Sequence, residues 1–97
     1  MTVKDFIIKY ITYIQENGNN PKEWYVGKAS NPNKRLFEEL NIDKKADAWI
    51  YNDAKTEENA RIIEEYLIEN LGANGDKDGE GEDTTWIYAY KTNYSMS

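Results

Sequence analysis

Three short runs rich in aromatic residues alternate with three segments whose apolar residues recur at helical spacing. The runs cover residues 23–28, 48–53 and 84–92. Aromatic and β-branched residues favour strands, whereas apolar residues three and four positions apart favour amphipathic helices. The element order αβαβαβ therefore predicts an α/β or α+β fold, with about three helices on a small mixed three-stranded sheet. Ninety-seven residues suffice for a single domain, residues 1–97.

The ends of the predicted helices carry capping signals. The first helix is expected over residues 2–17, because Thr2 can cap it and Asp5 completes a capping box. The second begins near Pro32, a residue that suits the first helical position. The third spans residues 56–71 and is followed by a glycine.

The composition excludes several classes of site. The chain has no Cys and no His, so a thiolate metal site and an imidazole base are both impossible. Acid-base chemistry must therefore depend on Asp, Glu, Tyr or Lys. No apolar run approaches the roughly 20 residues of a membrane span, and Asp5 and Lys9 interrupt the first apolar segment. We therefore expect a cytoplasmic protein with no membrane partner.

The acidic charge is concentrated in one segment. The net charge of -6 argues against nucleic-acid binding as a first interpretation, since Lys and Arg provide most of that affinity. Residues 76–83 hold five acids and one Lys, so the rest of the chain has 13 acids against 11 bases. Asn74, Asp76 and Asp78 match the start of an EF-hand loop, but Thr85 stands where that loop requires its Glu. A solvated acidic loop is the favoured interpretation.

Two charged residues have both a structural and a functional interpretation. Arg35 can form a surface ion pair with Glu39 four positions on, or it can bind a phosphate beside Tyr25. Glu64 falls near the apolar side of the third helix, where a carboxylate must be paired, hydrogen-bonded or bound to metal. Pairing with a Tyr hydroxyl or a Lys is the structural alternative for Glu64.

These segments together resemble the GIY-YIG endonuclease family. The run Tyr25-Val26-Gly27, with Arg35 ten positions after the Tyr, resembles the second half of the family signature. The segment "NARIIEEYLIENLGAN" resembles the family's Glu helix, with Glu64 before a Leu-Ile pair and Asn74 ten positions later. The resemblance covers about residues 23–74, and the order and spacing of its motifs agree.

The resemblance implies hydrolysis of phosphodiester bonds in DNA or RNA with Mg²⁺ or Mn²⁺. It assigns Tyr25 to positioning a water, Arg35 to stabilising the phosphate, Glu64 to holding the metal and Asn74 to support. Lys28 is a further supporting candidate in the same strand.

The chain also departs from the family pattern. No "GIY" strand precedes Tyr25, so the C-terminal strand is expected to fill the vacant sheet position and to supply Tyr88 or Tyr90. Glu39 stands where many members have a His.

Three functional hypotheses follow. The domain is an active endonuclease or a catalytically degenerate relative, or it is a non-catalytic acidic interaction or inhibitor protein of phage or mobile-element type that binds a protein partner. The third hypothesis is a structural domain in which the aromatic residues only form the core. The oligomeric state is left open.

Overall fold

The computed structural model describes residues 1–75 and 84–92. In chain order its regular elements are α1 (Val3–Glu16), β1 (Trp24–Ala29), α2 (Pro32–Lys34), β2 (Trp49–Asp53), α3 (Glu57–Tyr66), β3 (Asn74–Gly75) and β4 (Trp86–Lys91). A 3-10 turn at Pro21–Glu23 precedes β1, and π-helical turns at Arg35–Glu39 and Leu67–Leu71 extend α2 and α3. The acidic segment 76–83, with most of the calcium-loop pattern, lies outside the described residues.

The helix ends follow the sequence signals. At α1 the Thr2 hydroxyl accepts a hydrogen bond from the Asp5 amide at 3.1 Å, and the Asp5 carboxylate accepts one from the Thr2 amide at 2.9 Å. The predicted capping box is therefore confirmed. After α3, Gly72 ends the π-helical turn with φ of 97°, a left-handed conformation that favours glycine. Among residues 1–75 and 84–92, no helix has the length and apolarity needed to cross a membrane.

The sheet has four strands in the order β2-β4-β1-β3. β1 pairs in parallel with β3 and antiparallel with β4, which also pairs antiparallel with β2. The coarse prediction of helices on a mixed sheet is confirmed, but the prediction of three strands in the order αβαβαβ is wrong, because β3 adds an edge strand. With only two residues, β3 is too short to produce a hydrophobic period.

The two faces of the sheet are covered differently. On one face, Trp24 and Val26 of β1 pack with buried residues of α1 and α3 to form the main core. On the other face, Leu36 packs against Ala29 and Tyr88 in a smaller cluster, with partly buried aromatic residues around it. This alternation follows from the pleat, which directs successive side chains to opposite faces. The second face is therefore aromatic and only partly covered.

The side chain of Tyr10 connects α1 to β4 by a hydrogen bond. Its side chain is fully buried, and its hydroxyl donates a hydrogen bond to the Ile87 carbonyl at 3.1 Å. Burial raises the pKa of Tyr10 well above its usual value. Burial also raises the pKa of Tyr88, so two phenols resist ionisation in the folded state.

We predict that alkaline pH destabilises the fold through these phenols. Below a pH of about 10 both folded and unfolded chains keep the protons, whereas above it the unfolded phenols ionise first, so the free energy of unfolding falls as pH rises. Tyr10→Phe should lower stability at neutral pH by about 1 kcal/mol through the lost hydrogen bond, and should make the alkaline decline shallower. Urea unfolding at several pH values measures both effects.

Tyr66→Phe is the matched control, because the Tyr66 side chain is 39% exposed. We expect this variant to keep the full alkaline decline. An equally steep decline in wild type and Tyr10→Phe would contradict the prediction.

Candidate functional site

The pairing of β1 with β4 places two tyrosines over the start of the proposed motif. In the antiparallel register, Tyr25 lies opposite Tyr90 and Gly27 lies opposite Tyr88. The rings of Tyr25 and Tyr90 stack with centroids 5.5 Å apart, and those of Tyr88 and Tyr90 stack at 6.3 Å. The C-terminal strand thus brings Tyr88 and Tyr90 beside Tyr25, on the partly covered face of the sheet.

Gly27 makes room for the Tyr88 phenol. A Cβ at Gly27 would lie 2.5 Å from Tyr88 Oη and 2.6 Å from Cζ, closer than non-bonded atoms approach. The ring therefore crosses directly over the backbone of β1. No other residue type at position 27 would allow this crossing without a shift of the ring.

Arg35 contacts the same phenol from the turn that follows α2. Asn31 caps α2 through its side chain, Pro32 stands at the first turn, and Arg35 begins the π-helical turn that follows. Arg35 Nε lies 2.9 Å from a Glu39 carboxylate oxygen, and its Nη1 donates to Tyr88 Oη at 3.4 Å. The ion pair that the sequence offered as the structural interpretation of Arg35 is therefore present, and the guanidinium also contacts Tyr88; phosphate binding by Arg35 stays a prediction.

Burial and three neighbouring side chains influence the Tyr88 hydroxyl. Burial raises its pKa most, while the hydrogen bond and positive charge of Arg35 lower it, and the charges of Tyr25 and Glu64 raise it. The net direction is upward, so Tyr88 is a neutral phenol at neutral pH. We call Tyr25, Arg35, Glu64 and Tyr88 the Tyr88 cluster.

Glu64 is separated from the other members of this cluster by the sheet, because it lies on the helix-covered face. On α3, Ala60, Ile63 and Glu64 are buried and face the sheet. Lys28 lies on the helix-covered face of β1, two and four positions from Val26 and Trp24. Its Nζ is 3.5 Å from Glu64 Oε1, and the side chains are 7% and 1% exposed, respectively. The Lys alternative for Glu64 is therefore the arrangement observed.

As packed, these residues do not fit the single-Glu metal site that the resemblance implies. The ammonium of Lys28 already neutralises the buried carboxylate, and a divalent ion would have to displace it. Within residues 1–75 and 84–92, no three acidic side chains come close enough together to hold a metal ion. In the observed packing the carboxylate is paired with Lys28.

The side chain of Asn74 is used in hydrogen bonds to the backbone. It pairs with Tyr25 in the parallel ladder, and its side-chain amide donates to the Lys22 carbonyl at 2.7 Å and to the Trp24 carbonyl at 3.4 Å. These bonds fasten the short edge strand to the start of β1. Asn74 thus holds the backbone that carries Tyr25.

An open cavity borders the guanidinium. Its volume is about 240 Å³, and it is lined by Ala29, Ser30, Asn31, Lys34, Arg35 and Glu39. The Arg35 side chain is 28% exposed, so a ligand in this cavity could reach it. The cavity thus has two cationic side chains and a hydroxyl that could contact a phosphate group, with the Glu39 carboxylate paired to Arg35 beside them.

Sequence reasoning missed two features of this region. Lys28 was included without a partner, although its spacing from Trp24 and Val26 would have placed it on the core face. No local sequence pattern indicated why a glycine is needed at position 27, because the Tyr88 ring that requires it comes from a strand about sixty residues away.

We predict that Lys28→Met lowers the free energy of unfolding by about 3–5 kcal/mol, because Glu64 is left as a buried charge without its ammonium. Lys28→Met combined with Glu64→Leu should recover most of this loss, since both charges are then absent. Urea denaturation followed by tryptophan fluorescence measures the stability of each variant.

Lys55→Met is the control for removing a lysine charge at the surface. Lys55 lies 3.9 Å from Asp53, but its side chain is 76% exposed. We expect a cost below about 1 kcal/mol. Equal costs at the two lysines would contradict a buried ion pair.

We predict that Gly27→Ala costs about 1–3 kcal/mol, because the new methyl group must displace the Tyr88 ring. In a Tyr88→Leu background the same substitution should cost clearly less, since the ring is gone. The double-mutant cycle, measured by urea denaturation, gives the coupling energy between the two positions. A cost independent of Tyr88 would show that the ring does not lie over Gly27.

Comparison with protein-family models, with curated proteins and with solved structures finds no match for this chain.

Proposed function

We propose that this chain, which resembles the GIY-YIG family in its motifs, is a small nuclease-type domain that hydrolyses phosphodiester bonds of DNA or RNA. The observation that carries the proposal is the Tyr88 cluster itself. Arg35 donates a hydrogen bond to the Tyr88 hydroxyl at 3.4 Å, Tyr25 and Tyr88 both stack on Tyr90, and Glu64 lies behind them on the helix-covered face. Tyr88 and Tyr90 come from the C-terminal strand, as the absence of a "GIY" strand before Tyr25 led us to expect.

The cavity and the cluster provide the groups for binding a phosphate. The phosphate group would lie in the 240 Å³ cavity, where the Arg35 guanidinium can stabilise its non-bridging oxygens. Lys34 adds a second positive charge at the rim. The negative charge that grows on these oxygens during reaction is therefore stabilised by groups already in place.

The proposed reaction is hydrolysis by water. A water oxygen bonds to phosphorus as the bond to the leaving sugar oxygen breaks, which gives an alcohol and a phosphate monoester. Tyr88, kept neutral by its raised pKa, donates its proton to the leaving oxygen. The proton lost by the attacking water then restores the phenol, and Tyr25 orients that water.

We predict that Arg35→Ala lowers cleavage by about 100-fold or more, because a positioned donor to the transition state is lost. Tyr88→Phe should also lower cleavage, since it removes the proton donor. Plasmid, single-stranded DNA and RNA are the substrates, and cleavage is followed by gel electrophoresis.

Arg61→Ala is the matched control. Arg61 also pairs with a Glu four positions on, at 3.5 Å, but it lies on the exposed side of α3. This variant should cleave like wild type. Absence of cleavage of all three substrates by wild type would refute the proposal, as would equal effects of Arg35→Ala and Arg61→Ala.

A second candidate function is binding of a protein partner by an acidic surface. Ile62 and Tyr66 are each 39% exposed on the outer side of α3, and Glu65 and Glu69 lie beside them around a shallow cavity of about 250 Å³. Exposed apolar side chains next to carboxylates favour binding to a basic protein surface. In this candidate Arg35 and Tyr88 only pack the sheet.

A further inference from the structure

We propose that Lys28 takes the place of a divalent cation beside Glu64, so that this site handles phosphate esters without a metal ion. The absence of metal binding at Glu64 follows from the packing alone, whereas metal-independent cleavage also rests on the proposed function. Lys28 is a positioning residue here, because its ammonium is buried and acts through Glu64.

The ammonium of Lys28 already lies next to the carboxylate. Lys28 Nζ lies 3.5 Å from Glu64 Oε1, and Glu64 is 1% exposed. Mg²⁺ binds carboxylate oxygens at about 2.0–2.1 Å and usually keeps several of its waters. A hydrated ion at Oε1 would therefore have to displace the ammonium from this buried position.

The buried charges also favour the lysine over the metal. A carboxylate in the core needs a positive neighbour, and the ammonium supplies that charge from the same chain, so that no ion has to be taken up from solution. Within the described parts of the chain, no set of three acidic groups offers further ligands. One carboxylate with a fixed cation matches the charge requirement of the site.

This neutral pair still affects the reacting face. The Glu64 charge contributes to the raised pKa of Tyr88, although Tyr88 lies on the other face of the sheet. By holding the carboxylate in place, Lys28 fixes the distance between that charge and the phenol. Lys28 thus holds in place a buried carboxylate whose charge reaches Tyr88 through the sheet.

The test uses Mn²⁺ alone as the probe, with binding followed by the water-proton relaxation of Mn²⁺ solutions. Wild type and the Lys28→Met/Glu64→Leu variant should bind Mn²⁺ equally, because neither has an available carboxylate at position 64. Lys28→Met alone should gain affinity of about tenfold or more over both, since Glu64 is then open to the ion. If Lys28→Met is unfolded, addition of Mn²⁺ should refold it, as monitored by circular dichroism.

Two results would overturn the inference. One is tighter Mn²⁺ binding by wild type than by the double variant, and the other is no gain in Lys28→Met. The activity measurement is separate. Cleavage by wild type should be unchanged by EDTA. Cleavage should fall in Lys28→Met and should be restored when position 28 carries Arg instead of Met. Cleavage that requires added metal would refute the inference but leave the proposed function. A chain that cleaves none of the substrates would refute the proposed function. In that case the Mn²⁺ comparison still decides whether Glu64 binds a metal.

Discussion

The antiparallel pairing of β1 with β4 is the interaction on which the rest of the structure depends. It joins segments about sixty residues apart and sets Gly27 opposite Tyr88. A slip of one residue would turn every side chain of β4 to the other face, moving Ile87 out of the core and Tyr88 into it. The main core, the aromatic face and the Tyr88 cluster all follow from this one register.

Local patterns were sufficient to predict the elements but not their arrangement. Capping residues and helical spacing located α1 and α3, and aromatic density located β1 and β4. The edge strand β3 was missed because two residues carry no period, and strand order depends on contacts between distant segments that no local pattern encodes. Tyr25, Arg35 and Glu64 were found by motif spacing, whereas the partner of Glu64 required knowledge of how α3 lies on β1.

The sheet separates two kinds of charge. On the partly covered face, Arg35 keeps access to solvent and shares its guanidinium between Glu39 and Tyr88. On the helix-covered face, Lys28 and Glu64 neutralise each other within the core. Buried pairs of this kind often stabilise a fold less than apolar residues of the same size would. Their presence beneath a cluster of polar groups is typical of a site where position and charge matter more than stability.

The position of β4 in the sheet has a consequence for synthesis. β4 is made last, yet it lies between β1 and β2, and β2 has no other strand partner among the described residues. A nascent chain that has emerged only to residue 75 contains Arg35 and Glu64, but β1 and β2 cannot yet be joined. The pairing of β2 into the sheet and the contact between Arg35 and Tyr88 therefore form only after translation has passed residue 91, whereas β1 and β3 can pair before then.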